Sequence, residues 1–282
     1  MNFPNWLKAL MVAACLAVAM PAVEKRVTIA PELKGAWVVP EGKWDGRTVL
    51  LCHGFASDMD DAGGLYKRLA GELAAQGIAS LRINFRGEGD AKRTNIESTL
   101  TTRLEDAAAA HAYLLQDKQV DAKRLGVLGW SLGATTAIET GARHPDWFRT
   151  MALWSSPGGD QFAIFSGGEF HEAMAQAERT GTGSVAYPGW KTVTLHKEFF
   201  ASFRGIDLDK SLAKYPGAFL SVRGAEDYLG PHEAEFLKIA PGRPAEAVII
   251  GGADHIFHVF DGEQGQSARV IEVTVAWFGR TL

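Results

Sequence analysis

The sequence predicts an α/β fold with a mostly parallel, doubly wound sheet. Short apolar runs that fit buried strands alternate with longer segments whose apolar residues recur at helical spacing, and this alternation is typical of βαβ units. The composition of 46% hydrophobic and 22% charged residues over 282 residues is that of a globular chain with a full core. The net charge of −4 gives no basic surface for nucleic acid, so we expect no nucleic-acid partner.

The first 22 residues are a separate segment. An apolar run over residues 9–20 follows the cation Lys8 and precedes Pro21. The run is too short to span roughly 30 Å of hydrocarbon, but it fits the apolar region of a secretory signal. We expect residues 1–22 to be a signal peptide, and the protein to be periplasmic or secreted with no stable membrane insertion after cleavage. The alternative is an uncleaved N-terminal helix or a misplaced start codon, which would leave a cytoplasmic protein.

Each predicted strand is a short apolar run, and each predicted helix repeats apolar residues every three or four positions. In chain order, the predicted strands are residues 27–29, 36–39, 48–52, 78–85, 125–128, 151–154, 218–222 and 247–250. The first predicted helix carries Leu65, Leu69 and Leu73, and the second carries Ile96, Leu100, Leu104 and Ala108. The other two predicted helices span residues 132–142 and 269–278. The run at 48–52 is almost continuously apolar, as expected of a central parallel strand covered on both faces.

Residues 157–203 interrupt this alternation. Glycine is frequent there, and aromatic residues recur at Phe162, Phe165, Phe170, Tyr187, Trp190, Phe199, Phe200 and Phe203. An irregular stretch of that length inside a compact domain indicates a functional insertion. We therefore predict a core of residues 23–156 and 204–282, with a small cap of residues 157–203 inserted after the sixth strand. The aromatic residues form either the cap's own core or an aromatic-lined acyl pocket.

The candidate nucleophile is Ser131. Gly129-Trp130-Ser131-Leu132-Gly133 matches the pattern G-x-S-x-G, with a predicted strand directly before it and a predicted helix directly after it. In this context the serine lies on a strained turn that exposes its hydroxyl, and the glycines leave room for neighbouring backbone. Without catalysis the same residues would form a glycine-rich strand-to-helix turn.

The loop after an earlier strand predicts an oxyanion hole. His53-Gly54-Phe55 follows the central strand, so the N–H of Phe55 can point to the same place as the N–H of Leu132. Each such donor contributes about 3 kcal/mol to transition-state binding. We expect His53 to be structural, because the catalytic base of this chain order follows the nucleophile.

The base and the acid are expected further along the chain. His255 lies on the loop after the last predicted strand, with His258 as the alternative. Asp227 follows the strand before it and is the preferred acid, while Glu226 and Asp160 are alternatives. A serine needs such a base to become nucleophilic, and the acid holds the imidazolium that forms.

With these blocks in order, residues 25–282 resemble the α/β-hydrolase superfamily. The resemblance rests on the His-Gly-Phe block, Asn-Phe-Arg-Gly-Glu-Gly, Gly-Trp-Ser-Leu-Gly, Gly-Ala-Glu-Asp-Tyr-Leu-Gly-Pro and Gly-Ala-Asp-His. Within the superfamily the chain is most similar to feruloyl (cinnamoyl) esterases and dienelactone-hydrolase-like enzymes. It departs from them at Asn84, Glu88 and Ala91, where relatives often have Asp, His and Ser.

The resemblance implies a serine hydrolase that cleaves carboxylic esters, including aromatic ones, through an acyl-enzyme. The expected partner is a small-molecule ester, with no metal and no organic cofactor. A serine exopeptidase or thioesterase with the same triad is the alternative within enzymes, and a non-catalytic hydrolase-like binding protein is the alternative of another class. Once the leader is removed, Cys52 is the only thiol, so we expect no intramolecular disulfide.

Overall fold

The computed structural model describes residues 22–90, 92–187 and 189–282. The strands in these residues are β1 (Ala22–Ala30), β2 (Leu33–Pro40), β3 (Thr48–Cys52), β4 (Ala79–Asn84), β5 (Asn95–Ile96), β6 (Leu125–Trp130), β7 (Thr150–Trp154), β8 (Thr182–Tyr187), β9 (Lys191–His196), β10 (Ala218–Gly224) and β11 (Ala245–Ile250). The helices are α1 (Leu65–Ala75), α2 (Leu100–Leu114), α3 (Leu132–Arg143), α4 (Gly168–Thr180), α5 (Lys197–Ala201), α6 (Leu208–Leu212), α7 (Glu233–Ile239) and α8 (Gly265–Thr281).

Eight strands form the central sheet, in the order β1-β2-β4-β3-β6-β7-β10-β11. The pairs β1–β2 and β2–β4 are antiparallel, and every other neighbouring pair in this sheet is parallel. The carboxyl ends of the parallel strands therefore meet at one edge, where ligand sites of such sheets form. The predicted mostly parallel, doubly wound sheet is confirmed.

The sheet is covered on both faces, as the apolar run of β3 predicts. Val49 and Leu51 pack into a cluster with α1 and α8, whereas Leu50 and Cys52 pack into a second cluster with α2, α3, α6 and α7. Successive side chains of a strand point to opposite faces, so a strand that is apolar at every position must be buried on both. All five residues of β3 are buried.

The interval predicted as a cap contains regular elements that the sequence did not reveal. It holds a 3-10 turn (Phe162–Ser166), α4, the antiparallel pair β8–β9 and α5. These elements follow β7, which is the sixth strand of the central sheet in chain order. Short β5 pairs in parallel with β9, so a second sheet of order β5-β9-β8 links this segment to the chain before α2.

Some predicted boundaries were wrong. Ile96, expected in the helix with Leu100 and Leu104, lies in β5, and α2 begins only after the N-cap Thr99. The Thr99 hydroxyl accepts a hydrogen bond from the backbone N–H of Thr102, which is a strong start signal for a helix. The short helices α6 and α7 were also missed.

The predicted leader cannot be compared with the structure. Residues 1–21 lie outside the described residues, and Ala22 already belongs to β1. Within the described residues, no helix has both the length and the apolar character needed to cross a membrane.

Candidate active site

Ser131 lies at the sharp turn between β6 and α3. Its φ of 53° and ψ of −117° are unfavourable for a residue with a side chain, and such strain costs about 1–3 kcal/mol. A Cβ atom on Gly129 would lie 2.1 Å from the Gly133 carbonyl oxygen, and one on Gly133 would lie 2.0 Å from the Cys52 carbonyl oxygen. Both positions therefore require glycine, because the backbone of β3 and of the turn fills the space that a side chain would need.

The hydroxyl of Ser131 belongs to a continuous chain of hydrogen bonds. His255 Nε2 lies 3.0 Å from Ser131 Oγ, and His255 Nδ1 lies 2.8 Å from Asp227 Oδ1. With the proton on Nδ1, the imidazole donates to the carboxylate and accepts from the serine hydroxyl. This tautomer is the one that a base acting on serine requires.

Asp227 is held as a carboxylate. Its side chain is fully buried, and burial by itself would raise its pKa. The hydrogen bond and charge of His255, with a further hydrogen bond from the Leu229 N–H at 2.9 Å, outweigh burial and lower the pKa of Asp227 below its usual value. The negative charge beside the imidazole is therefore present at neutral pH.

The loop after β11 fixes His255 through its backbone as well as its ring. The His255 carbonyl oxygen accepts hydrogen bonds from Trp130 Nε1 at 3.2 Å and from Ser155 Oγ at 2.9 Å. The ring of Tyr228 lies over the imidazole with centroids 4.4 Å apart, although Tyr228 itself is 74% exposed. The imidazole is thus oriented from the core side and covered on the solvent side.

The alternative residues stay outside this chain of hydrogen bonds. His258 Nδ1 pairs with the exposed Asp261 at 2.9 Å. The side chains of Glu226 and Asp160 are exposed. Asp254 accepts hydrogen bonds from backbone N–H groups of the following turn, among them that of His258. The structure brings Ser131, His255 and Asp227 together and leaves the three alternatives, His258, Glu226 and Asp160, apart.

The residues predicted as oxyanion donors, Phe55 and Leu132, lie near the nucleophile in the chain or through a neighbouring residue. Leu132 follows Ser131 directly, and a Cβ atom on Gly54 would lie 3.7 Å from the Cβ atom of Ser131, so Phe55 follows a residue in close contact with the serine. In the part of the chain that the structure describes, the N–H groups of Phe55 and Leu132 donate no hydrogen bond. An arrangement of two unpaired N–H groups beside a serine hydroxyl can bind an oxyanion.

A buried ion pair that the sequence did not reveal supports the loop of Phe55. Glu88 and Arg103 form a salt bridge, and neither side chain is exposed. Glu88 also accepts hydrogen bonds from the Ala56 N–H at 3.0 Å and from the Ser98 hydroxyl at 2.8 Å, while Arg103 donates to the His53 carbonyl oxygen. The only sequence signal was the departure from the family pattern at Glu88. Arg103 gave none, because a single arginine in a polar helical segment is ordinary.

His53 has the structural role predicted for it from chain order. Its Nδ1 donates to the Gly54 carbonyl oxygen at 2.7 Å, and its Nε2 accepts from the Phe85 N–H at 3.3 Å. The residue is fully buried, and burial lowers the pKa of His53 to about 4. It is therefore neutral, with both ring nitrogens engaged by backbone.

Six of the eight aromatic residues of the inserted segment lie in two groups, and Phe162 and Trp190 lie outside both. Phe165 is only 5% exposed and belongs to a buried cluster with Phe199, Phe200 and Phe203. A second group, the aromatic trio, consists of the partly exposed rings of Phe55, Phe170 and Tyr187, whose centroids lie 6.1–6.5 Å apart. The trio is next to the active site because it includes Phe55.

No group of three or more His, Cys, Asp or Glu residues in the described ranges is arranged to bind a metal ion.

Cys52 is fully buried at the end of β3, and burial raises the pKa of its thiol to about 12. It is therefore a packing residue rather than a nucleophile.

Known proteins resemble the chain at the level of sequence and of structure. The sequence model of the serine aminopeptidase S33 family matches residues 45–177. Uncharacterized proteins of two Mycobacterium tuberculosis strains are 31% identical over 222 residues, covering 78% of this chain and 67% of theirs.

Solved structures resemble this fold over nearly their whole length. Est1E from Butyrivibrio proteoclasticus superposes with a TM-score of 0.65 at 17% identity, covering 90% of this chain and 96% of its own. The dienelactone hydrolase from Anabaena variabilis superposes with a TM-score of 0.62 at 17% identity, covering 94% and 99%. A second Est1E structure holds ferulic acid and gives a TM-score of 0.67 at 18% identity, covering 88% and 95%.

Proposed function

Because the chain belongs to the α/β-hydrolase superfamily, we propose that it hydrolyses carboxylic esters through an acyl-enzyme formed on Ser131. The observation that carries this proposal is the continuous hydrogen-bonded chain from Asp227 through His255 to Ser131, which ends at a strained serine turn.

Each residue has a defined role in the proposed reaction. Ser131 Oγ bonds to the ester carbonyl carbon while its proton passes to His255 Nε2, and the carbonyl oxygen becomes an oxyanion that accepts hydrogen bonds from the N–H groups of Phe55 and Leu132. The carbon–oxygen bond to the alcohol then breaks, and the alcohol leaves with the proton from Nε2. Water repeats the sequence to release the acid, and Asp227 remains ionised throughout.

Aromatic esters, of the cinnamoyl type, are the substrates that the surroundings of Ser131 favour. In this reaction the backbone N–H of Phe55 would bind the oxyanion. The Phe55 ring would therefore lie close to the reacting carbonyl carbon of the substrate. That ring is partly exposed beside Phe170 and Tyr187. Flat aromatic groups pack well against tilted and edge-on rings of this kind. The ferulic acid held by Est1E, which has a similar fold, is of this chemical class.

A fluorophosphonate probe tests the nucleophile. It should label Ser131 in the wild-type protein and nothing in Ser131→Ala. His255→Ala should abolish esterase activity almost as completely as Ser131→Ala, because triad members act as one unit. His258→Ala is the matched control and should retain most activity. Labelling or turnover that survives Ser131→Ala would refute the proposal.

A substrate panel separates the ester proposal from a serine exopeptidase, which the similarity to the S33 family makes the second candidate. Short p-nitrophenyl esters, hydroxycinnamoyl esters and aminoacyl amides should be compared by kcat/KM. We expect hydroxycinnamoyl esters to be cleaved fastest and aminoacyl amides slowest. The opposite order would assign the same triad to peptide hydrolysis.

Tyr187 and Phe165 provide a matched pair for the aromatic preference. Tyr187→Ala should lower kcat/KM for hydroxycinnamoyl esters relative to short aliphatic esters, with little change in Tm, because the ring is partly exposed. Phe165→Ala should lower stability by about 3–5 kcal/mol without changing that ratio, because the ring is buried. Unchanged selectivity in Tyr187→Ala would remove the support for aromatic acyl groups.

A further inference from the structure

The loop after β3 leaves only one of three successive N–H groups without a partner. The Gly54 N–H donates to Asp61 Oδ2 at 2.9 Å, and the Ala56 N–H donates to Glu88 Oε2 at 3.0 Å. The Phe55 N–H between them donates to no described residue. Because the peptide groups on either side are each held by a carboxylate, the direction of the Phe55 N–H is fixed before any substrate arrives.

We propose that Asp61 is a positioning residue that sets the orientation of the Phe55 oxyanion donor through the Gly54 peptide. This inference rests on the proposed function, since a fixed donor affects catalysis only if Ser131 is acylated.

The backbone of Asp61 is strained, because its φ is positive although the residue has a side chain. Its φ of 55° and ψ of −169° are uncommon for a residue with a side chain, and glycine would adopt them without strain. Strain of this kind persists where the surrounding structure or function demands a particular side chain. At position 61 the side chain supplies acceptors that glycine would lack.

The Asp61 carboxylate is held by hydrogen bonds alone. Besides the Gly54 N–H, it accepts from the Ser57 hydroxyl at 2.8 Å and the Ala62 N–H at 2.9 Å. The guanidinium groups of Arg26 and Arg82 pair with the preceding residue Asp60 instead. Burial raises the pKa of Asp61 to about 6, so keeping its charge here costs stability.

Asp61 is close enough to the nucleophile for this role. A Cβ atom on Gly54 would lie 3.8 Å from Asp61 Oδ2 and 3.7 Å from the Cβ atom of Ser131. One glycine therefore separates the carboxylate from the serine side chain. Any shift of the Gly54 peptide changes the geometry of the Phe55 N–H relative to Ser131, and oxyanion binding depends strongly on that geometry.

Asp61 is a better test than Glu88. Removing Glu88 would leave the fully buried Arg103 without its ion-pair partner, and an unpaired buried charge disrupts folding. Asp61→Gly, in contrast, relieves the backbone strain while it removes the acceptor. Asp61→Asn keeps the shape but offers one acceptor oxygen where the carboxylate offers two, and it serves if the glycine variant is poorly folded.

The experiment compares kcat, KM and the affinity for phenylboronic acid, which forms a tetrahedral adduct with an active-site serine. In Asp61→Gly we expect kcat for a p-nitrophenyl ester to fall at least tenfold, KM to change less than threefold, and boronate affinity to fall in parallel with kcat/KM. The Tm should stay within a few degrees of wild type. Asp61→Asn should show the same pattern. Asp58→Asn is the matched control, since its carboxylate accepts only from the Asp60 N–H in this loop, and it should behave as wild type.

Three results separate a failure of this inference from a failure of the proposed function. If Ser131→Ala is inactive and unlabelled but both Asp61 variants keep wild-type kcat and boronate affinity, Asp61 does not position the donor. If the Asp61 variants lose Tm and keep boronate affinity, its role is purely structural and the inference is also wrong. If Ser131→Ala stays active, the proposed function itself fails.

Discussion

Acidification from pH 7 to pH 5 is expected to destabilise the protein through His53. In the folded chain the ring is buried, and both nitrogens are engaged in a way that leaves no site for a second proton. Burial therefore lowers the pKa of His53 to about 4, whereas an exposed histidine titrates near 6.5. Between these values the unfolded chain binds a proton that the folded chain does not. Stability is thus complete above pH 6.5 and is lost as the pH falls towards 4.

The expected loss through His53 is about 2 kcal/mol between pH 7 and pH 5, since each pKa unit corresponds to about 1.4 kcal/mol. Asp61 acts in the opposite direction. Burial raises its pKa to about 6, so the folded chain gains a proton first and is stabilised by acidification. The net pH dependence of the wild-type protein therefore mixes both groups.

Comparison with His53→Gln isolates the histidine. Urea unfolding at pH 7 and pH 5 gives the free energy of unfolding of both proteins, and the contribution of Asp61 is common to them. The advantage of wild type over the variant should shrink by about 2 kcal/mol at pH 5. The exposed His171 provides a control, and His171→Gln should keep a constant difference from wild type. A wild-type advantage over His53→Gln that is the same at both pH values would refute the reasoning.

Three further predictions concern the candidate acid, the turn at Ser131 and an exposed glycine of α1. Asp227→Asn should reduce kcat by about 10⁴-fold while the protein stays folded, because the imidazole loses the carboxylate that fixes its tautomer and balances its charge. Glu226→Gln is the control and should keep nearly wild-type kcat. The reverse outcome would reassign the acid to Glu226. Gly133→Ala should cost about 1–3 kcal/mol or more, measured by urea unfolding, because its Cβ atom would overlap the backbone of β3. Gly71→Ala, on an exposed position of α1 with nothing within 4 Å, should instead add about 0.5–1 kcal/mol.

The central sheet could be predicted because its strands carry their signal locally. The run at 48–52 must be buried on both faces wherever it lies, since every residue in it but the first is apolar. Helix α4 carries a weaker local signal: Phe170, Ala173, Met174 and Ala177 recur at helical spacing, but only the two alanines are fully buried. The frequent glycines and aromatic residues around this helix favoured an irregular segment, so its helical spacing was missed.

Long-range pairing explains the error at Ile96. Its spacing to Leu100 and Leu104 fits a helix, and Ile96 is buried as that pattern requires. In the structure Ile96 pairs with Leu195 of β9, which lies far along the chain. The residues around Ile96 give no indication of this pairing. The pairing therefore overrode the local helical preference, as tertiary contacts commonly do.

The candidate triad and its supporting residues differ in the same way. Chain order and neighbouring strands indicated Ser131, Asp227 and His255, since each follows a recognisable strand. Arg103 lies within α2 and Asp61 lies far along the loop after β3, and both reach the site through hydrogen bonds to backbone atoms near the start of that loop. Side chains that act on distant backbone leave no spacing rule in the sequence, so their contribution becomes visible only in three dimensions.

The contacts of Phe55 connect the inserted segment to the loop after β3. Lys191, in β9, donates from Nζ to the Ala56 carbonyl oxygen at 2.7 Å, and the Phe55 ring packs against Phe170, Tyr187 and Phe199. The peptide groups beside Phe55, the proposed oxyanion donor, are thus held partly by the core and partly by the inserted segment. Exchanging this segment for that of another enzyme would change the support of the proposed donor together with the aromatic side chains around Phe55. Substrate preference and catalytic rate should therefore change together in such chimeras, and a transplanted segment should restore kcat only if it again supplies a donor to the Ala56 carbonyl oxygen.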